Sequence, residues 1–582
     1  MQPKPARLKR WKLLPQKTDQ RPLLLLLGVL SSNGVLGAGG LESTDRPSEQ
    51  PLLLPAPNLP PKPDLFTLPP AQSLAPDSNL RKRNIAIRRI ILEGNTVLPA
   101  EALQNLIQPY KNSTVSVAQL EELRQAITKL YQDRGYINSG AIISEGALRE
   151  DELKITLIEG RVKEAKIKGQ GNLREGYIRN RLLAEPEHTF NIHDLEDRFQ
   201  VLLSDPLISR LNGRVLPGPA FGQGILDVEV ARTKPYKLTL FGDNYRPPSV
   251  GANALGATGS LLSPFGFGEI FDFTYSISEG ANRYGGGLNL PVSDHGAMAF
   301  FRFDEADSRV REAPFQNLNI NSRVHSLEGG LSQLLINTQA RRLNLGATLA
   351  IRKNETSLLG EPFSFTPGVL GAHTQATVLR INQDFLQRFD RHALAARSTF
   401  SIGLNALGAT QPREDFPSSD FFAWLGQAQY AFRLNQEGAQ LVFKSNSQFC
   451  NHALLPLEKI AVGGFSTVRG YRTNSLVRDN GYTLSTELHY PLLAYRGLDP
   501  DGRLELAPFM DYGEAWDLKT SWEPNAQANA LWSIGLGMQW RHANYAADFS
   551  YGYALNKLVK SQAAFDALQD NGIYFQVRMD VL

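Results

Sequence analysis

The sequence predicts a mainly β fold: a sixteen-stranded transmembrane β-barrel preceded by two small α/β domains. Three observations predict it. The 582-residue chain has a mean hydropathy of −0.26 and no apolar run near the roughly 20 residues a membrane helix needs, residues 23–30 being the longest candidate. From Pro235 to the end, segments alternate apolar and polar residues between loops rich in Gly, Asn, Asp and Pro, as half-apolar barrel strands do. Before them, residues 85–233 run twice through the order β-α-α-β-β, the arrangement of a small sheet covered on one face by helices.

Composition removes several function classes. With Cys450 as the single cysteine, an intrachain disulfide and CxxC-type zinc or redox sites are excluded. A net charge of +3 argues against nucleic acid as the main partner, because phosphate binding needs a concentrated basic surface. No G-x-x-x-x-G-K-[ST] loop offers a nucleotide site, and the sequence asks for no cofactor and no metal.

At the N-terminus, Lys4, Arg7, Lys9, Arg10, Lys12, Lys17 and Arg21 precede PLLLLLGVL and the small residues of GVLGAGG. Residues 1–40 are therefore expected to be a secretory signal with a long basic region; a weak anchor or a start assigned too early are the alternatives. Residues 41–84 are dense in proline, which lacks a backbone donor and blocks helix. An extended, semi-rigid linker is expected there.

The first module, 85–161, opens on NIAIRRIILEGNTVLP, read as a strand, a turn at Gly94-Asn95 and a helix opened by Pro99. Its second helix starts near Ser116 and aligns Leu120, Leu123, Ile127, Leu130 and Tyr131 on one face, with Gly135 ending it. SGAIIS and DELKITLIEG complete it as strands. The second module, 162–233, repeats the order with VKEAKIKG, REGYIRNRLL, IHDLEDRFQVLLSD, LISRLNGRVLPG and GILDVEVART. Neither holds a catalytic constellation, whereas an exposed sheet edge suits capture of an extended peptide by strand addition.

In residues 235–582 the clearest strand is 530–541. Trp532, Ile534, Leu536, Met538 and Trp540 share one face, opposite Ser533, Gly535, Gly537, Gln539 and Arg541, and an aromatic at each end suits the two membrane interfaces. The next segment sets Ala547, Phe549, Tyr551, Tyr553 and Leu555 against Asp548, Ser550, Gly552, Ala554 and Asn556. Sixteen such segments leave about 22 residues for each strand and loop, matching strands of roughly 9–11 residues; fourteen or eighteen also fit. The last segment alternates to the terminus, as closure of first strand on last requires.

One connection differs from the other loops: LEKIAVGGFSTVRGYRTNSLVRDNG, residues 457–481. Gly463, Gly464 and Gly470 permit tight turns, Val468 and Tyr471 are too apolar for a solvated loop, and Arg469 lies between them. Two strands later, in RLELAPFMDYGEAW, Leu504, Leu506, Met510 and Tyr512 take the apolar face. Glu505, Phe509, Asp511 and Gly513 then face the lumen. If the loop folds inward, Arg469 and Asp511 can form a fork-like pair; otherwise Arg469 is a surface arginine and Asp511 lines the wall without meeting it. Spacing alone leaves both arrangements open.

GGFSTVRGY and FMDYG resemble the paired loop and strand motifs of the two-partner secretion transporters (TpsB, haemolysin secretion/activation, ShlB/FhaC/HecB type), within the outer-membrane assembly-factor superfamily. The two modules resemble POTRA domains, and the resemblance spans roughly 85–582. It implies an outer-membrane translocation pore with periplasmic POTRA domains that secretes a β-helical exoprotein (TpsA-like) without nucleotide hydrolysis, and that barrel assembly machinery inserts into outer-membrane lipid. It also implies that Val468, Arg469, Gly470 and Tyr471 form a loop tip in the lumen, with Arg469 on Asp511 beside Phe509 and Gly513. Residues 41–84 are too proline-rich for the family's plugging helix, and the C-terminal Val581-Leu582 departs from its terminal aromatic. The rival readings are a barrel-assembly or insertion factor, which usually has more POTRA domains, and a passive porin, which needs neither the modules nor the loop. An enzyme is disfavoured because neither G-x-S-x-G nor H-E-x-x-H occurs.

Overall fold

The computed structural model describes residues 66–67 and 84–581, apart from 145, 184–187, 370, 493–501, 522, 524–526 and 557–566. The expected signal, and the expected linker except Phe66, Thr67 and Asn84, lie outside the described residues.

The first module contains β1 (Asn84–Ile87), β2 (Arg89–Glu93), α1 (Ala100–Ile107), β3 (Ser113–Ser116), α2 (Val117–Gln132), β4 (Gly140–Ile142) and β5 (Glu152–Ile158). The single strand expected at its start is two. The amides of Arg88 and Arg89 both donate to Asp151 O, at 2.8 and 3.3 Å, and pinch the chain between them. β1 then pairs with β3 while β2 pairs with β5, in the sheet order β2-β5-β4. Ser116 caps α2, accepting from Gln119 N at 3.2 Å in a capping box. The periodic face places Leu120, Leu123, Ile127 and Tyr131 in the core.

The second module has β6 (Arg161–Lys168), α3 (Glu175–Leu182), α4 (Ile192–Leu203), β7 (Ile208–Pro217) and β8 (Gln223–Arg232), in the sheet order β7-β8-β6. Against the outer edge of β7, Phe66 and Thr67 add a short parallel strand, in register with Gly213 and Arg214.

Polar contacts fix the modules to each other and to the barrel. Burial works to raise the pKa of Glu159, but donors from the Thr96 side chain, the Thr96 and Val97 amides and the Thr189 hydroxyl outweigh it and hold its carboxyl below the usual range. Asn172 Nδ2 donates to Ser263 O (3.1 Å) and Pro264 O (2.9 Å), Arg174 N donates to Gly266 O (2.9 Å), and the Arg174 guanidinium lies 3.6 Å over the Phe267 ring. Leu262 and Ile270 at that barrel turn join the second module's core. The module is therefore seated on one mouth of the barrel.

The barrel strands are β9 (Tyr236–Asp243), β10 (Ala254–Leu262), β11 (Ile270–Ser278), β12 (Ala281–Pro291), β13 (Ala297–Arg309), β14 (Asn321–Asn337), β15 (Arg341–Leu358), β16 (His373–Arg388), β17 (His392–Gly403), β18 (Phe422–Arg433), β19 (Gln440–Cys450), β20 (Asn480–Pro491), β21 (Gly502–Trp516), β22 (Asn529–His542), β23 (Tyr545–Ala554) and β24 (Ile573–Asp580). These sixteen follow one another in antiparallel order, with a two-residue strand, Glu361–Pro362, beside β15, and β9 closes on β24 from Thr239↔Asp580 to Asp243↔Gln576. Trp532, Ile534, Leu536 and Met538 are exposed on the outside, as are Phe549, Tyr551, Tyr553 and Val577.

Several strands exceed the expected length, up to the 18 residues of β15. Its outward Leu343, Leu345, Ala347, Leu349 and Ile351 cover about 26 Å of strand at ~3.3 Å per residue, enough for the apolar band. Lys353 and Glu355 follow on the same face and pair with each other at 2.6 Å, and Arg323 beside them pairs with Asp307 at 2.5 Å. The outward face is thus charged where the sheet rises past that band. Among the described residues no helix is long and apolar enough to cross a membrane.

Candidate functional site: the loop inside the barrel

The 457–481 segment leaves β19 at the mouth opposite the modules and turns into the lumen. A short hairpin, Ile460–Val462 with Leu476–Arg478, forms its neck, and Gly463 and Gly464 at φ +111° and +98° turn the chain beyond it. Ile460, Val462, Val468, Tyr471 and Leu476 pack with Ala515 and Leu531 of the wall. This burial explains the apolar Val468 and Tyr471, which would be costly in a solvated loop.

The structure brings Arg469 and Asp511 together. Arg469 Nε donates to Asp511 Oδ2 at 2.8 Å, Nη2 to Oδ1 at 2.8 Å, and the Arg469 amide to Oδ2 at 3.1 Å. Ser485 Oγ donates to the same carboxylate at 2.6 Å. Parallel donation by a planar guanidinium fixes direction as well as distance. The guanidinium carbon also lies 3.4 Å from the centroid of the Phe509 ring, so the aromatic of the strand motif supplies a cation–π face. Asp511 is fully buried and Arg469 is 7% exposed.

Gly513 has a packing reason. A Cβ there would lie 2.6 Å from Val462 Cγ1 and 2.8 Å from Val468 Cγ2, so a larger residue would push the loop off β21. Gly470, at φ +94°, lies directly on Gly552 of β23, where a Cβ would come within 2.6 Å of the Gly470 amide. Backbone therefore touches backbone at the loop tip.

Sequence reasoning missed several partners. Glu487 is 2.8 Å from Arg469 Nη2, 3.0 Å from Lys444 Nζ and 2.9 Å from His489 Nε2. One arginine thus meets two buried carboxylates, and Lys444 balances the second. Tyr574 of β24, fully buried, accepts from Gly470 N at 3.1 Å and donates to Tyr471 O. The Tyr471 hydroxyl is 2.9 Å from Trp532 O and 2.6 Å from Asn556 O. At the loop stem, Arg380 donates to both oxygens of Glu458, at 2.9 and 2.8 Å, and Lys459 reaches Asp517 at 2.7 Å and Asp479 at 3.2 Å. Strand parity marks which of these wall residues face inward; it carries no signal for which loop residue each one meets.

A cavity of about 820 Å³ remains around the loop, and charged residues of both signs, among them Arg246, Asp272, Arg283, Arg302 and Asp304, are in its lining.

Residues 222–540, more than half of the chain, match the haemolysin secretion/activation protein ShlB/FhaC/HecB family, and residues 85–160 match the POTRA domain of ShlB type. The outer membrane transporter CdiB of Escherichia coli is 22% identical over 484 residues, covering 81% of this chain and 79% of that protein. The hemolysin transporter protein ShlB of Serratia marcescens is 22% identical over 434 residues, covering 72% and 74%. The solved structure of CdiB from Escherichia coli superposes with a TM-score of 0.66 at 19% identity, covering 96% of this chain and 98% of that one. The chain therefore belongs to the ShlB/FhaC/HecB family of haemolysin secretion/activation proteins, the outer-membrane transporters of two-partner secretion.

Proposed function

We propose that this transporter secretes a β-helical, TpsA-like exoprotein by threading it unfolded through the barrel past the inward loop, without nucleotide hydrolysis. Its working parts would be the signal (1–40), linker (41–84), two periplasmic POTRA domains (85–161 and 162–233) and the outer-membrane barrel (235–582). The observation that carries this reading is the loop held across the lumen by Arg469 on Asp511, with the second module seated on the opposite mouth. A passive pore needs neither.

The POTRA sheet edges would take the partner's unfolded N-terminal region by strand addition, whose affinity comes from backbone hydrogen bonds and so precedes partner folding. β7, ten residues long, lies at the edge of its sheet, with only Phe66 and Thr67 paired on its outer side among the described residues. The parallel pairing of Phe66 and Thr67 on it is an intramolecular instance of the same geometry. Folding of the partner outside would then draw the chain outward. Barrel assembly machinery would insert the transporter into outer-membrane lipid.

The expected partner is a large exported β-helical protein, to be sought first in the neighbouring reading frame. Co-expressed with this transporter in a host lacking other such transporters, it should accumulate in the medium, and should stay in the periplasm without it. Equal release in both strains would remove this chain from export of that partner, and release of unrelated periplasmic proteins alongside it would favour a passive channel instead.

A further inference from the structure

Arg472, three residues beyond Arg469, reaches two walls of the barrel at once. Its Nε and Nη2 contact the two oxygens of Asp570, the latter at 2.8 Å, and its Nη1 donates to Glu312 Oε1 at 2.6 Å. Asp570 lies in the 3-10 turn Leu568–Asn571 between β23 and β24, and Glu312 in the connection from β13 to β14. Around the closed barrel these connections are separated by ten strands on one side (β14–β23) and six on the other (β24 and β9–β13). The guanidinium is therefore the middle of a chord across the extracellular mouth, made from a loop that belongs to neither wall.

Each end of the chord is independently held. Asp570 Oδ2 also accepts from Ala567 N at 3.0 Å, and next to Arg472 the amide of Thr473 donates to Gln569 Oε1 at 2.8 Å. On the other side, Arg311 N donates to Ser249 O at 2.8 Å and Phe315 N to Glu312 O at 3.0 Å. The chord divides the mouth through which an extended polypeptide would leave.

The two arginines also differ in environment. Arg469 and Asp511 have side-chain exposures of 9% and 0%, whereas Arg472, Glu312 and Asp570 have 26%, 10% and 17%. Water can take over the partners of the second group as they separate, while the first leaves a buried charge behind.

We propose that Arg472 is a second, outer latch of the pore, a positioning residue that ties the loop to Glu312 and Asp570 and releases before Arg469 leaves Asp511. The proposal rests on the reading of the inward loop as the part of the transporter that gates the barrel. The test is single-channel recording of the purified full-length transporter in planar bilayers, for Arg472→Gln, Glu312→Gln, their combination, and Arg469→Ala in parallel. Heat-modifiable migration confirms that each barrel is folded. Glu312→Gln should raise the open-state occupancy about tenfold, the effect of one charge-assisted hydrogen bond on a two-state equilibrium, and Arg472→Gln, which also gives up both contacts to Asp570, by at least as much. The combination should not exceed Arg472→Gln alone, because without the guanidinium Glu312 has no contact left to lose. Should Arg472→Gln fail to insert, Glu312→Gln, placed on an extracellular connection, carries the same expectation. Unchanged occupancy in the latch variants with an open Arg469→Ala channel would overturn the latch alone, as would independent, multiplying effects of the two substitutions. Unchanged occupancy in all four would overturn both the latch and the gating role of the loop.

Discussion

Arg469→Ala is expected to leave a folded barrel in the outer membrane while partner secretion falls by about tenfold or more. The substitution removes both donors of the fork, the Nη2 contact to Glu487 and the cation on the Phe509 ring, and leaves Asp511 buried without its counter-ion. Breaking a buried ion pair by deleting one partner costs on the order of 3–5 kcal/mol, enough to empty the state in which the loop tip sits on β21. The barrel itself survives, because its closure rests on backbone ladders that the tip does not enter. Arg469→Lys should fall between, keeping the charge but losing the two-point geometry. Secretion assays in whole cells, with heat-modifiability as the folding control, check the expectation. Wild-type secretion from Arg469→Ala would remove the loop tip from the mechanism.

Deleting residues 85–233 should abolish secretion and reduce binding of a purified N-terminal partner fragment below detection. The deletion removes every module edge to which an unfolded segment could add, including β7. It also uncovers Leu262 and Ile270, which now complete the second module's core, so folding of the remaining barrel has to be verified separately. Binding of the fragment at wild-type affinity by the shortened protein, measured in detergent, would contradict the assignment of recognition to the POTRA domains.

How much of this was legible in the sequence depended on whether the signal was local. Strand parity is local: the side of β22 carrying Trp532 and Ile534 and the inward direction of Asp511 both follow from a period of two. The buried face of α2 follows in the same way from a period of 3.6. Strand ends were less legible, because β15 runs past Ile351 into Lys353 and Glu355 with no Gly or Pro to mark an end, and β1 and β2 separate at Arg88 only because a carbonyl 63 residues later, Asp151 O, accepts from both neighbouring amides.

The loop's partners were least legible. Glu487, Tyr574, Glu312 and Asp570 are set by the register of strands far apart in the chain, and no spacing rule links Arg472 to residues 160 positions before it and 98 after it. The motif drew attention to Arg469 because glycines and apolar residues surround it. Arg472, two positions past Gly470 in the same loop, looks like an ordinary polar loop residue until the barrel closes around it.

On the proposed mechanism this barrel moves an unfolded partner using no energy source beyond the partner's own folding. Its most direct test is transport by the purified transporter in nucleotide-free proteoliposomes, with the urea-unfolded partner fragment presented on the side that carries the POTRA domains. Protease-resistant, folded fragment should accumulate on the opposite side with wild-type protein, and the yield should collapse with Arg469→Ala. A strict requirement for added nucleotide, or equal transport by both proteins, would contradict the account.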